Sequence, residues 1–272
     1  MNSSKRSGFT IIELLVVVLI ILLVVAISIP ILGGVRQKAA MVHEVSAARQ
    51  LLVGFTKYQN ENNGRVIWGY NPNEEAFDER GNELSNPINA RYPWRLYPYL
   101  KDIDYFGALL VGNQEALRQR ERNYSGFVYS VSVFPSLGMN VFHVGGDFLG
   151  SGYGGINPRH FDQFGRFCAM KESTPGAGNL IVFASARHGL NNNFSRGYFK
   201  VDAPNLTSRR WVDKYEDATS AAQFGFIDLR YGGKAVVGCF DGHTETLDEE
   251  QIQDMRRWSP LAALEDDPDW SL

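Results

Sequence analysis

Residues able to do chemistry are plentiful in this 272-residue chain, with five histidines and 30 acidic side chains, so their spacing decides what they can do. Asp241-Gly242-His243 sets a carboxylate and an imidazole two residues apart, and with His188 or Asp228 these are metal-ligand types. The same residues are fully accounted for by a tight turn, Asp-Gly making the turn and His243 opening the next strand. His143, His160 and His188 sit in Gly- and Asn-rich stretches without ligand spacing, which predicts solvated or locally hydrogen-bonded rings. Gly150-Ser151-Gly152-Tyr153-Gly154-Gly155 has the form G-x-G-x-x-G, yet such a loop must open a helix, and Ile156-Asn157-Pro158 opposes one. No nucleophile elbow, His-Glu-x-x-His pair or phosphate loop occurs. Cys168 and Cys239 are too few for a disulfide scaffold or a four-cysteine zinc site. They would pair outside the cytoplasm or stand as two buried thiols. No catalytic residue, cofactor-binding residue or metal ligand is expected from this inventory. With a net charge of -3, 21% charged residues and no basic stripe, no nucleic-acid partner is expected.

Glu13 is the carboxylate whose surroundings are unusual. It lies near the start of an apolar run from Phe9 to Leu32, otherwise interrupted only by Thr10, Ser28 and Pro30. Roughly 20 helical residues cross a bilayer's hydrocarbon core, so this run is long enough to insert. Lys5 and Arg6 favour a cytoplasmic N-terminus, although Arg36 and Lys38 flank the far side. A plain anchor explains the apolar residues but not Glu13, since a carboxylate there costs a few kcal/mol unless it has a partner or a task. A secretory signal peptide would use the small-x-small triplet Ala26-Ile27-Ser28, against which Pro30 and the continuing helical spacing argue.

Lys5-Arg6-Ser7-Gly8-Phe9-Thr10-Ile11-Ile12-Glu13-Leu14-Leu15-Val16-Val17 resembles the cleavage and methylation motif of type IV pilins and pseudopilins. The resemblance implies a cut after Gly8, an N-methylated new terminus at Phe9, an assembly carboxylate at Glu13 and a helix bend at Pro30. A charged amine at Phe9 would be costly in an apolar setting, and Glu13 of a neighbouring subunit would offset it. Such a pair fixes register more than it adds stability.

The element carrying these residues continues beyond the apolar run. Val35, Ala39, Val42, Val45, Ala48, Leu52, Phe55 and Tyr58 recur every three or four positions. One helix is predicted from about Thr10 to Asn60, stopping at Asn62-Asn63-Gly64, a rod of roughly 75 Å. His43 is read as a surface residue on it. A long connection follows, with an aromatic cluster from Tyr92 to Tyr99 that is expected to pack on the body, and a short charged helix from Glu115 to Arg122. Strands are predicted at Phe127–Val131, Asn179–Ala184 and Gly197–Val201. A three-stranded antiparallel meander is predicted from Phe224–Arg230, Lys234–Phe240 and His243–Leu247, joined by Gly232-Gly233 and Asp241-Gly242 turns. A terminal helix over Glu249–Trp258 and a frayed acidic tail over Glu265–Asp269 complete the reading. Arg230 to His243 also resembles the C-terminal region of pilin-like proteins from planctomycetes and verrucomicrobia. Those commonly carry histidine ten residues before the Asp-Gly, where this chain has Tyr231.

The expected fold is therefore α+β and pilin-like, a long N-terminal helix packed on a small antiparallel sheet with long loops. The expected organisation is a cytoplasmic leader at 1–8, a membrane or filament-core half-helix at 9–32, its second half at 33–62, an extracytoplasmic α+β body at 63–260 and an acidic tail at 261–272. By resemblance the chain is a non-enzymatic structural subunit of a type II secretion-like pseudopilus or type IV pilus-like filament, single-pass in a bacterial inner membrane. The implied partners are a prepilin peptidase/methyltransferase, copies of itself, other pilin-like subunits and an inner-membrane assembly platform. Major pseudopilins often hold calcium near the C-terminal sheet, and Asp213, Glu216 and Asp217 offer oxygen atoms here without an ordered ligand pattern. The other reading is an anchored extracytoplasmic enzyme or carbohydrate-binding protein using the Tyr92–Tyr99 aromatics.

Overall fold

The computed structural model describes residues 10–147, 167–190, 193–206, 209–216 and 218–271, excepting the side chains of residues 27–33, 190, 193, 194 and 209. Helix α1 spans Ile11–Glu61. By internal contacts the chain divides into two units, Met1–Ala40 and Met41–Leu272.

In the first unit, the side chains of Ile11 to Val25 are all exposed, Ile11 at 83%. Among the described residues no helix is long and apolar enough to cross a membrane. The described apolar side chains run only from Ile11 to Ala26, fewer than the roughly 20 a bilayer core requires. The predicted span at 9–32 extends beyond that stretch at both ends.

In the second unit α1 turns from apolar all round to amphipathic. Glu44, Ala47, Ala48, Leu51, Leu52, Phe55 and Gln59 are buried, a helical stripe that repeats every three or four residues. The predicted stripe overlaps it at Ala48, Leu52 and Phe55, whereas Val42 is exposed and Val45 and Tyr58 are half-buried. Counting apolar residues alone misplaced the face, because two of its members, Glu44 and Gln59, are polar. His43 is exposed, as expected.

Beneath this stripe lies a five-stranded sheet built from β1 (Leu137–Asn140), β2 (Ile181–Ser185), β5 (Lys200–Val201), β8 (Lys234–Cys239) and β9 (Thr244–Asp248), in the order β5-β1-β2-β8-β9. The sheet is mixed, since β5 runs parallel to β1 with Met139 opposite Lys200. The β8–β9 hairpin pairs Gly238 with Thr244 and Lys234 with Asp248, as alternation and the Asp-Gly turn predict. Two small ribbons, β3 (Arg187–Leu190) with β4 (Asn193–Arg196) and β6 (Asn205–Leu206) with β7 (Arg209–Arg210), flank it. Phe55 packs edge-on against Phe183 and Phe240, at 6.2 and 5.5 Å between centroids. Gly238 leaves room for Leu52, whose Cδ1 would lie 3.0 Å from any Cβ placed there.

Three predicted elements are corrected. Phe127–Val131 is not a strand but part of α5 (Tyr124–Val133), which follows α4 (Gln114–Arg122). The Asn123 side chain caps α5 by accepting from Gly126 N at 3.1 Å, and the buried set Phe127, Val128 and Val131 has helical spacing. Residues 224–230 form no third meander strand. Gly225 and Phe226 both take positive φ, which breaks extension and leaves single bridges from Ile227 to Ala186 and from Arg230 to Lys234. The acidic tail is held rather than frayed. A helix at Pro260–Glu265 precedes it, Met255 N donates to Pro268 O at 2.9 Å, and Trp270 is buried. The predicted terminal helix is itself short, Glu249–Gln253, followed by a 3-10 turn at Met255–Arg257.

Candidate functional site

The first turn of α1 is built around Thr10 and Glu13. Thr10 N and Oγ1 each donate to Glu13 Oε2 at 2.8 Å, and Glu13 N donates back to Thr10 Oγ1 at 3.3 Å. This reciprocal cap satisfies free helix-start donors and holds the carboxylate at the helix N-terminus, where negative charge is favoured. Gly8 and Phe9 lie outside the described residues, as does the side chain of Pro30, through which α1 continues.

A second carboxylate on the same helix went unnoticed in the sequence. Glu44 is fully buried against the end of β2, the central strand. Ser185 Oγ donates to its Oε1, Tyr231 Oη donates to its Oε2 at 2.6 Å, and Arg230 Nη1 lies 3.5 Å from Oε2. Arg230 is in turn held by Asp228 at 3.1 Å and by the Ala186 carbonyl at 2.5 Å. Burial and the neighbouring Glu44 carboxylate push the Tyr231 phenol above its ordinary range, keeping it a donor. Tyr231 therefore fastens helix to sheet. The only sequence signal was a charged residue falling on the helical stripe two positions after Val42.

The Tyr92–Tyr99 aromatics are structural. Helix α2 (Tyr92–Leu96), with Pro93 in its first turn, buries Tyr92 and Trp94. Tyr92 Oη donates to Leu137 O at 2.6 Å and Trp94 Nε1 to Val128 O at 2.9 Å. Arg95, buried beside them, donates to Trp68 O and Ala90 O, and burial lowers its pKa to about 10. Aromatic surface open to a cleft lies elsewhere, where Tyr70, Arg91, His188, Tyr198, Phe199 and Phe226 line about 400 Å³. His188 stacks on Tyr198 at 4.7 Å, and Arg91 lies over Phe199 while donating to Ser132 Oγ at 2.9 Å.

Of the other histidines, His143 is fully buried rather than solvated, and His160 lies outside the described residues, as does the whole G-x-G-x-x-G stretch. His243 Nδ1 pairs with Asp241 within the predicted turn at 2.5 Å. Neither His188 nor Asp228 joins them; His243 instead groups with Cys239 and Glu245. Both cysteines are buried free thiols. Asp213 and Glu216 are exposed and belong to no such grouping among the described residues, and Asp217 lies outside them.

No curated protein and no solved structure matches the chain, and the C-terminal resemblance is without support from these comparisons. Residues 3–29, however, match the family model of the prokaryotic N-terminal methylation motif. That stretch contains the Gly8-Phe9 junction and the Thr10–Glu13 cap together, and it supports a prepilin-like chain of the type IV pilin or pseudopilin kind.

Proposed function

We propose that this protein is a filament subunit, cut between Gly8 and Phe9, N-methylated at Phe9 and assembled into a type II secretion-like pseudopilus or type IV pilus-like fibre. The observation that carries this reading is the methylation-motif match over residues 3–29, with Glu13 in the first turn of a 51-residue helix. Before assembly the run from Phe9 to Leu32 sits in the inner membrane, its length sufficient by sequence for the bilayer core. The body then faces the periplasm or the cell exterior and supplies surface contacts, without covalent chemistry of its own. In the fibre the apolar half-helices pack side by side, and the Phe9 amine of one subunit meets Glu13 of another. An inner-membrane platform and other pilin-like subunits complete the assembly.

Intact-mass and N-terminal analysis of protein recovered from its native membrane tests the reading. The expected product starts at Phe9 and carries an added methyl group. Gly8→Ala is expected to leave the uncut precursor in the membrane. A chain beginning at Met1 or Ile29 would instead indicate a plain anchor or a secretory signal.

A further inference from the structure

The β8–β9 hairpin ends in a constellation that the filament reading does not use. Cys239 closes β8, Asp241-Gly242 makes the turn, His243 immediately precedes β9, and Glu245 lies on β9. One ligand atom from each of Cys239, His243 and Glu245 lies within 4.8 Å of the other two. Cys239 Sγ is 3.8 Å from Glu245 Oε1, and His243 Nε2 is 3.6 Å from the same oxygen. Ligands bound tetrahedrally to zinc at their usual bond lengths stand roughly 3.3 to 3.6 Å apart, so small side-chain movements close the site.

The surrounding groups suit this use. Asp241 Oδ1 accepts from His243 Nδ1 at 2.5 Å and from His243 N at 3.1 Å. A carboxylate can only accept, so Nδ1 carries the proton and the Nε2 lone pair is left for a metal, the carboxylate–histidine arrangement that orients metal-bound imidazoles. Arg257 Nη1 donates to Glu245 Oε1, which retains a second lone-pair site. His243 and Glu245 also line a solvent-open cleft with Asn179, Asp254, Arg256 and Arg257, giving an ion a way in. Cys239 sits on the buried side of the trio.

We propose that Cys239, His243 and Glu245 bind zinc or a similar late first-row divalent ion, leaving a fourth position open to the cleft. A thiolate and an imidazole select such an ion over calcium or magnesium, which take oxygen ligands. The site would clamp the hairpin tip, and it stands independently of the filament reading. Binding releases the Cys239 proton to solvent and forms the sulfur–metal bond, with no redox change.

The test is titration of the EDTA-treated, reduced full-length chain in detergent, first with cobalt(II) and then with zinc. The expected result is one ion per chain and a thiolate-to-cobalt charge-transfer band that Cys239→Ser abolishes and Cys168→Ser retains. Exposed-side variants His243→Gln and Glu245→Gln, which should fold as the parent does without metal, are each expected to bind at least about tenfold more weakly. Asp241→Asn should weaken binding by about ten- to a hundredfold through loss of imidazole orientation. The absence of one-to-one binding would overturn the proposal. So would binding unchanged in His243→Gln, or a charge-transfer band that survives Cys239→Ser.

Discussion

Glu44 is a fully buried carboxylate, so its cost is set by how completely its neighbours replace solvent. Two hydroxyls donate to it, from Ser185 and Tyr231, and the Arg230 guanidinium pairs with it at 3.5 Å while braced by Asp228. Breaking one side of such a cluster strands the other side in a dry interior. Glu44→Ala should therefore destabilise the protein by about 3–5 kcal/mol. Tyr231→Phe removes one hydrogen bond to a charged acceptor, with an expected loss of about 1.5–3 kcal/mol. Both are read as shifts in the urea midpoint at constant slope. Because the two residues share one cluster, Tyr231→Phe should cost far less when made in the Glu44→Ala background than in the parent. Additive losses would mean that Tyr231 stabilises the body by packing alone. Tyr231 thus supplies the hydroxyl that joins α1 to the body through Glu44.

At the scale of elements, the loop after β1 carries a group that makes stability depend on pH. His143 is fully buried among rings that include Phe142 and Trp270, its Nδ1 donates to Phe167 O at 2.7 Å, and its Nε2 has no hydrogen-bond partner among the described residues. Burial lowers its pKa to about 4. An unfolded histidine titrates near 6.5, so between these values the unfolded chain holds the extra proton and stability rises with pH. Acidification from about pH 6.5 to 4 should remove about 3 kcal/mol through this residue. Urea midpoints measured across that range should fall more steeply in the parent than in His143→Gln, and equal slopes would refute the assignment. Other elements show what the sequence could and could not disclose. The β8–β9 hairpin was legible because an Asp-Gly turn sits between two alternating runs, and α1 because an apolar run passes without a break into a three-and-four-residue repeat from Val35 to Tyr58. Phe127–Val131 was misread because it satisfies both periods, and the deciding signal was the Asn123 cap rather than the apolar pattern. The break at Gly225-Phe226 had no such signal, since a positive φ at phenylalanine is imposed by tertiary packing. Gly8, Phe9 and Glu13 stand out in the sequence because they fall within one contiguous motif, residues 3–29. Cys239, His243 and Glu245 could not, because strand register is what brings a C-x-x-x-H-x-E pattern to one point.

At the scale of the whole molecule, the two units pose opposite solvation problems. The body buries its amphipathic stretch of α1 internally, whereas Ile11 to Val25 present apolar side chains in every direction. A helix apolar on all sides is stable only when surrounded, by lipid or by other helices. In the proposed fibre, copies of the same half-helix would replace lipid, and apolar packing alone would permit many axial offsets of nearly equal energy. A charge pair inside that packing removes the degeneracy, because any offset that leaves the Phe9 amine or Glu13 unpaired carries a large desolvation cost. Glu13→Ala should accordingly leave cleavage after Gly8 intact, since the bond cut lies five residues away. It should lower filament yield by about tenfold or more, as an energy difference of only about 1.4 kcal/mol already suffices for that. Thr10→Val separates the assembly role from the local one: it removes the side-chain cap but not the carboxylate, so filaments should form while the helix start is weakened by about 1 kcal/mol. Sheared-filament yield, measured beside the mass of the processed subunit, distinguishes the cases. Normal filaments from Glu13→Ala would place register in the shapes of Leu14 to Val25 instead of in the charge, and loss of filaments in Thr10→Val would make the cap itself part of the assembly site.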